Sequence, residues 1–172
     1  VLTLGINYLD GRLVEIFGTA KDESPETMKI QIAGVVTSTV APDANGYFSL
    51  VAEASSLGQV VAWGIDDEGL YSDKVETFVV SSAPTVVEFV AIEQVDRFWT
   101  FTGRVKDESP QGLVVYFDGL KSLIGRSAVV QADGSFSLTV QLREGEGGMA
   151  SAYTVDWWGL KSDEVFVVVD PS

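Results

Sequence analysis

The pentapeptide Lys-Asp-Glu-Ser-Pro occurs twice in this chain, at residues 21–25 and 106–110, an offset of 85. At the same offset Gly18 matches Gly103 and Gly34 matches Gly119. Farther on, the stretch 46–50 (Gly-Tyr-Phe-Ser-Leu) matches 134–138 (Gly-Ser-Phe-Ser-Leu) at an offset of 88. Ala62, Asp66 and the run 69–73 then match Ala152, Asp156 and 159–163 at 90. The offset only grows, by three residues and then by two. Chance identities do not stay collinear in this way, so the chain is a tandem duplication whose second copy carries two small insertions. The expected units are 1–81 and 85–172, joined by a short linker at 82–84 that contains Pro84.

Each copy reads as strands. Val14, Ile16, Gly18 and Ala20 alternate with Leu13, Glu15, Phe17 and Thr19, and Trp99, Phe101, Gly103 and Val105 repeat the pattern. The sets Met28, Ile30, Ile32 and Leu113, Val115, Phe117 form a further apolar face. So do Phe48, Leu50, Ala52 and Phe136, Leu138, Val140, and finally Val75, Thr77, Val79 and Val165, Val167, Val169. A period of two marks half-buried strands. Asp-Gly at 10–11, Ser-Pro at 24–25, Asn-Gly at 45–46 and Glu-Gly at 68–69 supply the turns between them. No segment has helical spacing over three turns. About seven short strands in ~85 residues predict an immunoglobulin-like sandwich, so the fold class is all-β, two tandem seven-stranded immunoglobulin-like β-sandwiches.

The succession of a glycine, Asp-Glu-Ser-Pro, an alternating strand, Asp/Asn-Gly-x-Phe-Ser-Leu, an alanine-bearing strand ending in Asp, and Gly-Leu-x-Ser resembles the bacterial Ig-like repeats. It covers nearly the whole chain, twice. Those repeats occur in tandem in large secreted and surface proteins. The resemblance implies an extracellular or cell-surface location, a role in adhesion or spacing, and no catalytic residue. The partners it implies are other domains of a parent protein, or an extracellular protein or glycan.

Composition narrows the chemistry. The chain has no cysteine and no histidine. Disulfides, thiolate nucleophiles, imidazole bases and most zinc or iron sites are therefore excluded. Its net charge of −14 repels nucleic-acid phosphate and anionic lipid. No apolar run is long enough to span a membrane, so membrane insertion is not expected. The first four residues show no basic stretch ahead of an apolar segment, so a signal peptide, if one exists, has been removed or lies outside these residues. The reading is a non-enzymatic protein and a monomer.

The remaining chemistry is carboxylate. Sandwich order puts the loops bearing Asp22, Glu23, Asp66 and Asp73 at one end of the first copy. Asp107, Glu108, Asp156 and Asp163 occupy the equivalent end of the second. Calcium takes six to eight oxygen ligands from such loops, so one calcium site per unit is the candidate metal site. The alternative is local: Asp66 and Asp156 cap the turn that follows them, and Asp22 and Asp107 do the same ahead of a proline. Asp43 and Asn45, before Gly46, read as a turn. Paired acids at glycosidase separation, ~5–9.5 Å, would need a sugar groove that the sequence does not indicate.

The aromatic residues supply two further expectations. The sixth strand is apolar on both faces, with Val60, Ala62, Gly64 opposite Val61, Trp63, Ile65. If Ala62 faces in, Trp63 and its counterpart Tyr153 lie outside, where an aromatic row suits a carbohydrate-binding module. Trp157 and Trp158 replace Asp67 and Glu68 at one loop tip. At least one of them is expected to make an interdomain contact near residues 9–12 or 55–58; the alternative is an exposed ligand-binding tip.

Overall fold

The alternating segments resolve into fourteen strands in a computed structural model that describes residues 1–171. The first unit, Val1–Ser81, contains β1 (Gly5–Tyr8), β2 (Leu13–Thr19), β3 (Lys29–Gly34), β4 (Ser38–Val40), β5 (Tyr47–Glu53), β6 (Gly58–Ile65) and β7 (Val75–Val79). They form two sheets, β1-β2-β5 and β4-β3-β6-β7, in which every pairing is antiparallel. The one helical element among the described residues is a 3-10 turn at Pro25–Thr27, whose proline supplies the fixed φ of its start.

The second unit, Ser82–Ser172, repeats this order. Its strands are β8 (Thr85–Glu93), β9 (Phe98–Lys106), β10 (Val114–Asp118), β11 (Ser127–Val129), β12 (Ser135–Gln141), β13 (Gly148–Thr154) and β14 (Val165–Val169). The sheets are β12-β9-β8 and β11-β10-β13-β14. Both units are immunoglobulin-like sandwiches. The fourth strand of each pairs with the third, whereas in constant-type immunoglobulin domains it extends the first sheet.

Alternation places the cores. Val14, Ile16, Ile30, Ile32, Phe48, Val60 and Ala62 are buried in the first unit. Trp99, Phe101, Val115, Phe117, Phe136, Ala150 and Ala152 are their counterparts in the second. Phe89 packs against this second core, with ring centroids 6.2–6.4 Å from Phe101, Phe117 and Phe136. It reaches inward through a bulge in β8, where the register shifts between Val87 and Val90 and Glu88 takes a φ of 57°.

Two glycine pairs explain their own repetition. Gly18 lies opposite Phe48 and Gly103 opposite Phe136. In each case a Cβ would come within 2.6 Å of the phenylalanine ring, so the glycine makes room for the core aromatic. Gly34 and Gly119 have φ of 113° and 94°, and a Cβ at either would sit 2.1 Å from the carbonyl oxygen of Gln59 or Met149. Only glycine fits there.

Candidate functional site

The loop after the sixth strand is built identically in the two units. In the first, the Asp66 N–H donates to the Leu70 carbonyl at 3.0 Å, and Gly69 N–H donates back to the Asp66 carbonyl at 3.1 Å. Asp66 Oδ1 accepts from the N–H groups of Glu68 and Leu70, at 2.9 and 2.8 Å. In the second, Asp156 makes the same backbone pairs with Leu160 and Gly159, at 2.9 and 3.1 Å. Its Oδ1 accepts from Trp158 and Leu160 N–H at 2.9 and 2.8 Å. One carboxylate oxygen thus closes each loop, and a left-handed glycine, Gly69 or Gly159, completes it.

The surroundings of the two aspartates differ. Asp66 is half-buried and lines a cavity of about 150 Å³ with Asp22, Lys21 and Tyr71. Asp156 is only 5% exposed, and its Oδ2 is buried without a hydrogen-bond partner. Next to it in the chain is Trp157, whose indole N–H donates to the Ser109 carbonyl at 2.8 Å and whose ring lies against Gly112. Trp157 is 40% exposed, so much of its indole rests on its own unit. Trp158 is half-buried.

Asp107 shares this neighbourhood. Burial above all pushes its carboxyl up to about 6. A hydrogen bond with the Glu108 carboxyl and the negative charges of Glu108 and Asp156 push the same way, while the Ser109 N–H, at 3.3 Å, pulls it down. The other predicted acids stand apart. Glu23, Asp73 and Asp163 are exposed, and the carbonyls of Asp73 and Asp163 accept from Ser72 and Ser162 hydroxyls at 3.0 Å. Among the described residues no three carboxylates converge in a way that would hold a metal ion. The structure does bring Asp22 and Asp66 to one cavity, and Asp107 within electrostatic reach of Glu108 and of Asp156. Asp43 is a turn former, its Oδ1 accepting from Asn45 and Tyr47 N–H at 2.9 and 3.0 Å.

Ala62 and Ala152 face inward, so Trp63 and Tyr153 lie on the outer faces. Each carries a lysine: Lys74 Nζ is 5.0 Å from the Trp63 ring centroid, and Lys161 Nζ is 4.2 Å from that of Tyr153. In the second unit Tyr153 also meets Tyr116, its cross-strand partner, at 5.4 Å between centroids and 30° between planes.

Beside this pair opens a cleft of about 400 Å³, lined by Tyr116, Tyr153, Asp118, Ile124, Arg126 and Ser127 among others. Its outer wall is the β10–β11 loop, which holds the three-residue insertion. Leu120 and Leu123 anchor that loop in the core, leaving Ile124 65% exposed above the cleft. Backbone bonds from Leu123 to Leu120 and from Arg126 to Leu123, both 2.9 Å, fix its turns. Glu146 ties it to the neighbouring loop. It accepts from Ser122 N–H at 3.0 Å, from the Ser122 hydroxyl at 2.6 Å and from Arg143 N–H at 2.9 Å. Burial works against the Glu146 carboxylate, but these donors hold it below the usual range. Sequence reasoning did not single out Tyr116, Asp118, Ile124 or Arg126. The available signal was the insertion itself.

No family model and no curated protein matches this sequence. Among solved structures the chain is similar to the fibronectin(III)-like modules of CbhA from Clostridium thermocellum, at 18% identity and a TM-score of 0.41. That similarity covers 100% of this chain and 94% of the other. It is also similar to the D0-D1 domain of intimin, at 15% identity and a TM-score of 0.31, over 98% of each chain. The BSP domain of a biofilm-associated protein aligns at 14% identity and a TM-score of 0.33, over 99% of this chain and 30% of that one. The fold assignment rests on strand order and register. No helix of the described residues is long and apolar enough to cross a membrane.

Proposed function

We propose that this chain is a non-catalytic structural or adhesive spacer from a secreted or surface-anchored protein. One observation carries the reading: each unit completes its own sandwich. The two sheets of each unit are closed over a core made from that unit's residues alone. A chain built from self-sufficient modules adds length without needing a shared core. The lack of cysteine and histidine supports the non-enzymatic reading.

The absence of cysteine also makes the test clean. Spin labels at Asn45→Cys and Glu144→Cys, both exposed positions, report the distance between the units. A semi-rigid spacer gives a narrow distance distribution. A broad, coil-like one overturns the spacing role.

Calcium belongs to the same reading as a stiffening ligand of the acidic loops. The buried, unpartnered Asp156 Oδ2, in a residue whose charge acts on Asp107, supports it. The separation of the other acids means that backbone carbonyls and water would have to complete the shell. A melting temperature that rises in millimolar calcium over EDTA, but not in magnesium, is the expected result. No rise leaves the acids as turn formers. We assign Trp157 and Trp158 to contact with a neighbouring module or ligand; a shift in indole fluorescence when such a module is added checks this.

A further inference from the structure

We infer that the cleft beside Tyr116 is a binding site for a neutral oligosaccharide. This goes beyond the spacer reading, which is decided separately by the distance distribution.

The chemistry of the lining makes the case. A pyranose ring has an apolar C–H face and a rim of hydroxyls that donate and accept. It needs an aromatic or apolar wall with both an acceptor and a donor at the edge. Tyr116 provides the aromatic wall, and at 41% exposed it has surface to offer. Tyr153 is already engaged by Tyr116 and the Lys161 ammonium, so it serves as the backing that holds Tyr116 in place. Ile124 faces the cleft from the loop. Asp118 is the acceptor and Arg126 the donor. Their charges cancel, which suits an uncharged ligand, and the chain's net charge of −14 disfavours anionic ones.

The site is also preformed. Leu120 and Leu123 are buried and Glu146 clamps Ser122, so the wall does not have to be ordered on binding. The first unit provides an internal comparison. By cross-strand register, Gln31 stands where Tyr116 does and Thr39 where Ser127 does, with the Thr39 hydroxyl donating to Gln31 Oε1 at 3.0 Å. Ala33 stands at the position of Asp118, and the shorter loop from Val35 to Thr37 has no counterpart to the inserted wall. The aromatic position is kept as Trp63, but the cleft residues around it are not. Duplication followed by an insertion has made the two copies different at this outer face.

The test is an amide-resonance titration of the whole labelled chain with cellohexaose, xylohexaose, mannohexaose and chitohexaose, and separately with decaproline. At least one sugar is expected to move amides at residues 116–118 and 124–127 at millimolar concentration. Tyr116→Ala should weaken that binding about tenfold or more, and Trp63→Ala should leave it unchanged. Should Tyr116→Ala lose its dispersed spectrum, Asp118→Ala, which removes the acceptor, replaces it, with the same expected loss. Any of three results overturns the proposal: no sugar moves these amides, the shifts survive the cleft variants, or decaproline alone produces them.

Discussion

The loops that follow β6 and β13 share one backbone and differ in what lies over it. Residues 66–70 and 156–160 make the same hydrogen bonds to within 0.1 Å, and their glycines agree in φ at 84° and 83°. The first carries Asp67 and Glu68 at its tip, and its closing aspartate is half-buried. The second carries Trp157 and Trp158, and its closing aspartate is buried with an unpartnered oxygen. Loop shape therefore follows from Asp, Gly and Leu, whereas the electrostatics follow from the tip. In the second unit Asp107 is also partly buried near Glu108 and Asp156, and burial above all raises its carboxyl.

Substitutions can break this comparison at several depths. The largest effect is expected from Asp156→Ala, which removes the acceptor for two backbone N–H groups inside a covered loop. A loss of about 2–4 kcal/mol is expected in the denaturant transition of the second unit. Asp66→Ala should cost about half as much in the first, because water reaches its N–H groups. Equal losses would show that the cover contributes nothing.

Exchanging the tip comes next. Trp157→Glu restores the residue class found in the first unit and removes the bond to the Ser109 carbonyl. The second unit should lose about 1–2 kcal/mol. A smaller effect, visible as a slope, comes from Asp107→Asn. The folded carboxyl, at about 6, binds its proton more tightly than the ordinary value of 3.8. Between those values the folded state holds more protons than the unfolded one. Asp107 therefore makes the protein lose stability as pH rises from about 4 to about 6, with no further change above. The variant should lack that component, matching the parent at low pH and exceeding it at pH 7. Glu15 and Asp133 are held low by hydrogen bonds and give slopes of the opposite sign, so only the difference between variant and parent is diagnostic. The smallest effect is expected from Asp22→Asn, within about 0.5 kcal/mol, since Asp22 is exposed.

Much of the fold was legible because two copies reported on it. Period-two alternation placed Val14, Ile16, Phe101 and Phe117 in cores, since polar residues such as Glu15, Thr19, Thr100, Arg104 and Asp118 interrupt the opposite faces of their strands. It failed on β6, where both faces are apolar, and only the coordinates set Ala62 inside and Trp63 outside. The turn role of Asp43 followed from Asn-Gly chemistry alone. The direction taken by Trp157 was not legible, because the Ser109 carbonyl that receives its N–H lies 48 residues away in sequence. The cleft escaped notice for a related reason. Tyr116, Asp118 and Arg126 are unremarkable singly, and they meet only because an insertion folds back over β10.

The Asp-closed loop has a consequence for how such modules diversify. Its geometry is held by the aspartate carboxylate, the left-handed glycine and backbone N–H and carbonyl groups, so it does not depend on which side chains stand at the tip. Acidic or indole pairs are accommodated by one backbone. Exchanging the exposed side chains at 67 and 68 for other residues with a backbone N–H is therefore expected to leave the first unit's loop in place.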